Sequence, residues 1–342
     1  MDNRFAAAQN KVPVTENALH KSRFMAFQDY EDIGFGITRI DSGMIRPGLA
    51  ALYLLESNGE CALVETGTHN SIPAIMKLLE QRGIEVGQVR YVIPTHVHLD
   101  HAGGVGGLMQ VLPNATLLVH PKGARHMIDP AKLKAGAMAV YGEAYFAEIY
   151  GDVIAVDSQR VEQMQDGDTV LLGARTLTFY DTPGHARHHF CIHDSLSSGI
   201  FTGDTFGLAY PALATENGPF IIPTTTPVQF DPDALKHSID RLLALKPQRM
   251  FLTHYGMVEQ PEPLRQSLLA QIDDYLGIVE RAKQQPVDQQ ESYLIAQLTE
   301  YTFKRARDHG CRLAQAQLQS VLGMDMQLNG QGLAVWMQSQ TG

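Results

Sequence analysis

The sequence predicts an α/β fold in which helices pack on sheets, and three observations carry that expectation. Short apolar runs alternate with segments of helical spacing between residues 49 and 119. After residue 165 a second set of runs echoes the same order of elements, without a sequence repeat. Several of these runs end on His or Asp, and the carboxyl ends of strands in such sheets are where sites form.

Residues 1–33 read as an irregular or partly helical arm of mixed polarity. "LAALYLL" (49–55) and "CALVET" (61–66) flank the turn "ESNGE", which predicts a hairpin. In "HNSIPAIMKLLEQRG" the residues Ile72, Ile75, Leu78 and Leu79 have helical spacing, and Gly83 stands at the expected end. "RYVIPT" is a buried strand, "GGVGGLMQVL" opens a helix, and "ATLLVH" is a further strand. Residues 121–165 interrupt the rhythm with a helical insertion, "AKLKAGAMAVYGEAYFAEIYG". The strands "VLLGARTLTFYDT", "HHFCIHD" and "GIFTGD" follow, then the helix "DPDALKHSIDRLLALKP" and the strand "RMFLTH". Beyond Met257 the pattern is helical, with Leu264, Leu268, Ile272, Tyr275, Leu276 and Val279 on one face. "ESYLIAQLTEYTFKRARDHG" and "CRLAQAQLQSVLG" each end in Gly, which predicts a helix stop. The organisation expected is an arm (1–33), a catalytic domain (34–257) and a helical extension (258–342) that caps the domain or forms a homodimer.

With 342 residues, 44% of them hydrophobic and 19% charged, the chain is long enough for a large core. A formal charge of −10 argues against nucleic acid, which needs clustered Lys and Arg. Three cysteines without a CxxC spacing argue against a disulfide framework and fit a reducing compartment. The first residues lack the apolar block of a signal peptide, and no apolar stretch is long enough to span a membrane. A cytoplasmic protein free of membrane is therefore expected.

"VIPTHVHLDHAGG" (92–104) crowds three histidines and an aspartate onto one turn. In an extended loop alternate residues face one way, so His96 and His98 share a direction. Asp100 and His101 fall where the chain turns into a helix, and Gly103 and Gly104 let its backbone lie close. Burying such groups costs free energy unless they are paired. A divalent cation resolves the conflict, since imidazole nitrogen and carboxylate oxygen suit zinc, iron or manganese. Such a centre needs further donors at other strand ends, and His185 in "DTPGHARHH", Asp204 in "GIFTGD" and His254 in "RMFLTHYG" supply them. His188 and His189, like the scattered His120, His126, His193, His237 and His309, are read as structural.

Over roughly residues 37–256 this set resembles the metallo-β-lactamase superfamily, and within it the glyoxalase II-like metallohydrolases with a Gly-Asp bridging motif. The resemblance implies a four-layer αββα sandwich with a helical C-terminal extension. It implies one metal on His96, His98 and His185, a second on Asp100, His101 and His254, and Asp204 bridging them. Two divalent ions are expected, zinc foremost, with iron or manganese as alternatives. The activity implied is hydrolysis of an ester, thioester, lactone or amide carbonyl in a small molecule by a metal-bridging hydroxide, with Asp100 handling the proton. The alternatives are phosphodiester hydrolysis, an iron-containing redox activity, and a non-catalytic binding module. Glu65 in "LVETG" stands where the family usually has an Asp that supports the metal-binding loop. Phe206, Tyr210 and Tyr255 are the expected substrate contacts.

Overall fold

A computed structural model describes residues 30–225 and 228–340, save the side chains of residues 140 and 141. Most of the expected N-terminal arm lies outside the described residues; its last part, Tyr30–Asp32, is an edge strand.

The first sheet has seven strands in chain order. They are β1 (Tyr30–Asp32), β2 (Ile37–Asp41), β3 (Ala51–Ser57), β4 (Glu60–Val64), β5 (Val89–Ile93), β6 (Thr116–Val119) and β7 (Val161–Gln163). β1 to β4 pair antiparallel, whereas β4 to β7 run parallel. The β3–β4 hairpin closes through Asn58 and Gly59 at φ 50 and 79. Two left-handed residues give the turn whose twist suits a two-residue hairpin, and Asn-Gly is its favoured sequence.

The second sheet has six strands: β8 (Thr169–Leu172), β9 (Arg175–Asp181), β10 (Phe190–Asp194), β11 (Gly199–Gly203), β12 (Arg249–Leu252) and β13 (Gly256–Glu259). It is antiparallel apart from the parallel β11–β12 pair.

Alternation along β3 explains the layering, because successive side chains point to opposite faces. Ala51, Tyr53 and Leu55 enter a core shared with Phe179, Phe190 and Phe201 of the second sheet. Tyr53 meets Phe201 and Phe251 edge-on, at ring-centroid distances of 5.1 and 5.7 Å. Leu52 and Leu54 face outward onto α1 (Ile72–Gln81), α3 (Val105–Val111) and α4 (Pro121–Ile128). Arg175 joins the sheets from a fully buried position, donating to the Asp194 carboxylate at 3.1 Å and to Glu56 O at 3.3 Å.

Two expected helices are each divided at glycine. The segment after the histidine turn forms α2 (Leu99–Ala102) and α3, with Gly103 and Gly104 between them. The insertion forms α5 (Ala131–Tyr141) and α6 (Glu143–Ile149), split at Gly142 with φ 84.

Beyond α7 (Pro232–Ala244), the chain ends in α8 (Pro261–Ala282), α9 (Gln290–Asp308) and α10 (Gln315–Ser339). Their apolar residues, including Leu268, Tyr275, Leu298 and Leu322, belong to the same core as the inter-sheet layer. The helix stop expected at Gly323 does not occur; α10 continues through Gly330 to Ser339. A Cβ on Gly330 would lie 2.5 Å from Ile295 Cγ1 and 3.1 Å from its Cα, so glycine there permits close approach of α9. Among the described residues no helix is long and apolar enough to cross a membrane.

Candidate metal centre

Every expected donor follows the carboxyl end of a strand. His96 and His98 lie beyond β5, with Asp100 and His101 in α2; His185 follows β9, Asp204 follows β11 and His254 follows β12. β9 and β11 are each antiparallel to β10, and β12 is parallel to β11, so their ends open at one edge.

The donors converge there. His96 Nε2 lies 2.9 Å and His185 Nε2 3.1 Å from His98 Nδ1. Across the cleft, Asp100 Oδ2 is 3.4 Å from His101 Nε2 and 3.3 Å from His254 Nε2. Asp204 stands between the two groups: Oδ2 is 3.4 Å from His185 Nε2, and Oδ1 is 3.3 Å from His101 Nε2 and 3.6 Å from His254 Nε2. The triads His96/His98/His185, His96/His101/Asp204 and Asp100/His101/His254 each bring their donor atoms within 4.8 Å of one another and could hold a metal ion.

On four of the five imidazoles the ring proton is committed on the far side. Glu65 Oε1 accepts from Thr95 Oγ1 at 2.5 Å, from Thr253 Oγ1 at 2.9 Å and from His101 Nδ1 at 2.9 Å, while Oε2 accepts Thr95 N–H at 3.0 Å. His254 Nδ1 donates to Leu49 O at 2.8 Å. The Thr95 hydroxyl, having given its proton to Glu65, accepts from His96 Nδ1 at 3.2 Å. By the same logic Thr224 donates to Asp204 O at 3.2 Å and accepts from His185 Nδ1 at 3.1 Å. Nε2 of His96, His101, His185 and His254 is thereby turned inward. Among the described residues, His101 Nε2 and Asp204 Oδ1, both buried, have no hydrogen-bond partner. Buried polar atoms are ordinarily satisfied, so a cation fits this donor set. The separations of 2.9 and 3.1 Å among His96, His98 and His185 approach the ~3.3 Å edge of a tetrahedron with ~2.0–2.1 Å bonds.

Electrostatics divide the centre in two. Burial holds His96 well below the usual imidazole range, lowers His98 and takes His185 down to about 3. For His101 burial is overcome by Asp100, Glu65 and Asp204, which push it well above its usual value. His254 is likewise opposed by burial, yet Asp204 and Asp100 carry it up to about 9. Burial raises the Asp100 and Asp204 carboxyls, but the imidazoles around them, His101 foremost, hold both well below the usual carboxylate range. His98 and Asp100 are the two donors that reach partial exposure, the Asp100 side chain at 27%, and they mark the entrance.

His189, read as structural, is fully buried and accepts Asp204 N–H on Nε2 at 3.2 Å. Gly203 takes φ 48, and a Cβ there would fall 2.4 Å from Thr95 Oγ1 and 2.5 Å from His189 Nε2. Crowding thus demands the glycine of the Gly-Asp pair. His188 is buried, with its ring centroid 5.5 Å from that of His98, and burial takes its pKa down to about 3.

The three expected substrate contacts are placed otherwise than as an open lining. Phe206 is buried in the core, Tyr210 is buried with its hydroxyl 3.0 Å from Asp325 Oδ1, and buried Tyr255 lies under the Arg39 guanidinium. Sequence reasoning missed Thr95, Thr224, Thr253 and the Leu49 carbonyl. A signal existed for two of them, since Thr precedes His in both "PTH" and "LTH".

A sequence profile described as the metallo-beta-lactamase superfamily matches residues 45–254. The chain belongs to that superfamily. A metallo-beta-lactamase fold-containing protein of Sulfurisphaera tokodaii is 30% identical over 241 residues, 68% of this chain and 84% of the relative. An acyl-coenzyme A thioesterase of Homo sapiens is 27% identical over 51% of this chain and 65% of its own length. A hydroxyacylglutathione hydrolase of Maricaulis maris is 26% identical over 58% of each chain. The chain thus spans less than two thirds of either enzyme. Among solved structures, an archaeal superfamily protein from Sulfolobus tokodaii aligns with a TM-score of 0.56 and 28% identity, over 69% of this chain and 85% of its own. A family protein of Thermus thermophilus aligns with a TM-score of 0.62 at 18% identity, over 90% of this chain and 94% of its own. That likeness of fold extends past the profile match into the C-terminal helices. The superfamily is hydrolytic, and its fold implies divalent-metal binding.

Proposed function

We propose that this chain is a dinuclear metallohydrolase acting on the carbonyl of a small-molecule ester, thioester, lactone or amide. The observation that carries the reading is the Asp204 carboxylate, which turns one oxygen toward each group of imidazoles. On this reading His96, His98 and His185 would hold one ion, Asp100, His101 and His254 would hold the other, and Asp204 would serve both. Zinc suits the imidazole-rich set. When bound, such a pair supplies Lewis acidity and lowers the pKa of water from 15.7 to about 7.

The chain's own groups do the rest. Asp100, ionised and at the entrance, takes a proton on its carboxylate and returns it to the leaving sulfur, oxygen or nitrogen. Glu65 fixes His101 through Nδ1, and the Leu49 carbonyl fixes His254, so neither ring turns during the cycle. The names of two relatives, a coenzyme A thioesterase and a hydroxyacylglutathione hydrolase, favour a thioester within this class.

The test is elemental analysis of the purified protein together with a panel of thioesters, lactones, β-lactams and phosphodiesters, run beside Asp204→Ala. Two equivalents of metal, thioester turnover and its loss in the variant are expected. Metal-free wild-type protein, or an Asp204→Ala variant with undiminished turnover, would refute the reading. Phosphodiester cleavage far exceeding carbonyl cleavage would replace it.

A further inference from the structure

α10 reaches the centre through a buried amide. Asn329, 1% exposed, sits against the segment Pro223–Thr224–Thr225. Its Oδ1 accepts Thr225 N–H at 2.7 Å, its Nδ2 donates to Pro223 O at 3.0 Å, and its carbonyl accepts Thr225 Oγ1 at 3.0 Å. The residue between those two anchors is Thr224, whose hydroxyl contacts Asp204 O and His185 Nδ1.

We propose that Asn329 is a positioning residue for the metal centre. By clamping the residues on either side of Thr224, it holds the hydroxyl where His185 Nδ1–H donates to it. The imidazole then keeps its Nε2 facing His98 Nδ1 and Asp204 Oδ2. This inference rests on the reading of His185 as a metal ligand.

The chemistry of the side chain supports the assignment. Asn is a weak helix former, and burying its amide is costly unless both ends are satisfied. Here the donor and the acceptor are both used, and both on one three-residue segment. Thr225 is fully buried, and Thr224 is 4% exposed, so water does not compete for those groups. A residue that only anchored the helix would need one of these bonds. The paired contacts constrain the position of Thr224 from both sides.

The full-length protein carries the test, with Asn329→Ala, Asn329→Asp, Thr224→Val and Thr224→Ser. Zinc affinity is measured by competition with a chromophoric chelator, coordination by the visible spectrum of the cobalt-loaded protein, and fold by urea unfolding of the metal-free form. Asn329→Ala and Thr224→Val are each expected to weaken one of the two zinc ions about 10–100-fold and to change the cobalt spectrum. Thr224→Ser, which keeps the hydroxyl, restores both readouts. The double variant Asn329→Ala/Thr224→Val binds zinc no more weakly than Thr224→Val alone, because the two act on one interaction. Should Asn329→Ala fail to unfold cooperatively, Asn329→Asp carries the test by the same two readouts, since it keeps the acceptor for Thr225 N–H and removes only the donation to Pro223 O. A folded Asn329→Ala with wild-type zinc affinity and cobalt spectrum, differing only in its urea midpoint, overturns the proposal and leaves the hydrolase reading standing. Wild-type protein that binds no zinc overturns the hydrolase reading itself, and this proposal with it.

Discussion

Glu65→Gln isolates the carboxylate that organises one side of the centre. The Glu65 side chain is 1% exposed and accepts four hydrogen bonds, from Thr95 N, Thr95 Oγ1, Thr253 Oγ1 and His101 Nδ1. Glutamine has the same shape but one acceptor oxygen. With that oxygen in the Oε1 place, the new NH2 faces the Thr95 N–H, donor against donor. Stranding a buried donor costs about 1–3 kcal/mol, and the three surviving bonds each lose about 1 kcal/mol of charge assistance. Relief from burying a charge offsets part of this, leaving a loss of about 2–4 kcal/mol in unfolding free energy. Urea denaturation at pH 7 of the metal-free protein measures it, and chelator competition measures an accompanying 10–100-fold fall in zinc affinity, the usual order for a partner of a metal-bound histidine. A variant within about 0.5 kcal/mol of wild type, the range of an inconsequential surface change, with zinc affinity intact, would refute this account of Glu65.

Zinc uptake at pH 7 should release protons: His254, carried up to about 9, and His101, pushed well above its usual value, must each give up a proton to bind, so affinity rises with pH through this range. Calorimetry in buffers of different ionisation enthalpy reads the release, and a buffer-independent heat would contradict it. Burial raises the Asp325 carboxyl to about 6, above its unfolded value, so the stability associated with its protonated form is complete below about pH 4 and lost as pH rises through 6. Asp325→Asn, which still accepts from Tyr210, should therefore gain up to about 3 kcal/mol over wild type between pH 4 and pH 7.5 in urea titrations. A constant difference across that range would count against it. Asp194→Ala leaves the guanidinium of Arg175 buried and unpaired, and a loss of about 3–5 kcal/mol is expected in the same assay. A loss below about 1 kcal/mol, the scale of an exposed ion pair, would mean that water reaches Arg175.

The parts of the centre legible in the sequence were those set by local rules. His96 and His98 share a direction because alternate residues of an extended loop do, and Asp204 and His254 were found because each follows an apolar strand. What stayed hidden was the set of groups that orient those rings. Leu49 is 205 residues from His254, Thr224 is 39 from His185, and Asn329 is 104 from Thr225. No local pattern marks a backbone carbonyl as the partner of a distant imidazole. The helix stop expected at Gly323 failed for a related reason. Local propensity treats glycine as a terminator, whereas α10 runs on past Gly323 because Leu322, Met326, Leu333 and Met337 bury one face of it in the core. The buried rings of Phe206, Tyr210 and Tyr255 were expected at the mouth because aromatic residues near a site invite that reading; only the packing shows which way they face.

The orienting bonds of the centre cross from one sheet to the other. His254, from the second half of the chain, is steered by the Leu49 carbonyl in the first, and Glu65, from the first, is gripped by Thr253 of the second. A chimera exchanging one half with a relative would therefore need to inherit compatible partners at both crossings, or it would fold with donors aimed askew. The halves of this sandwich are bound to diversify as a pair.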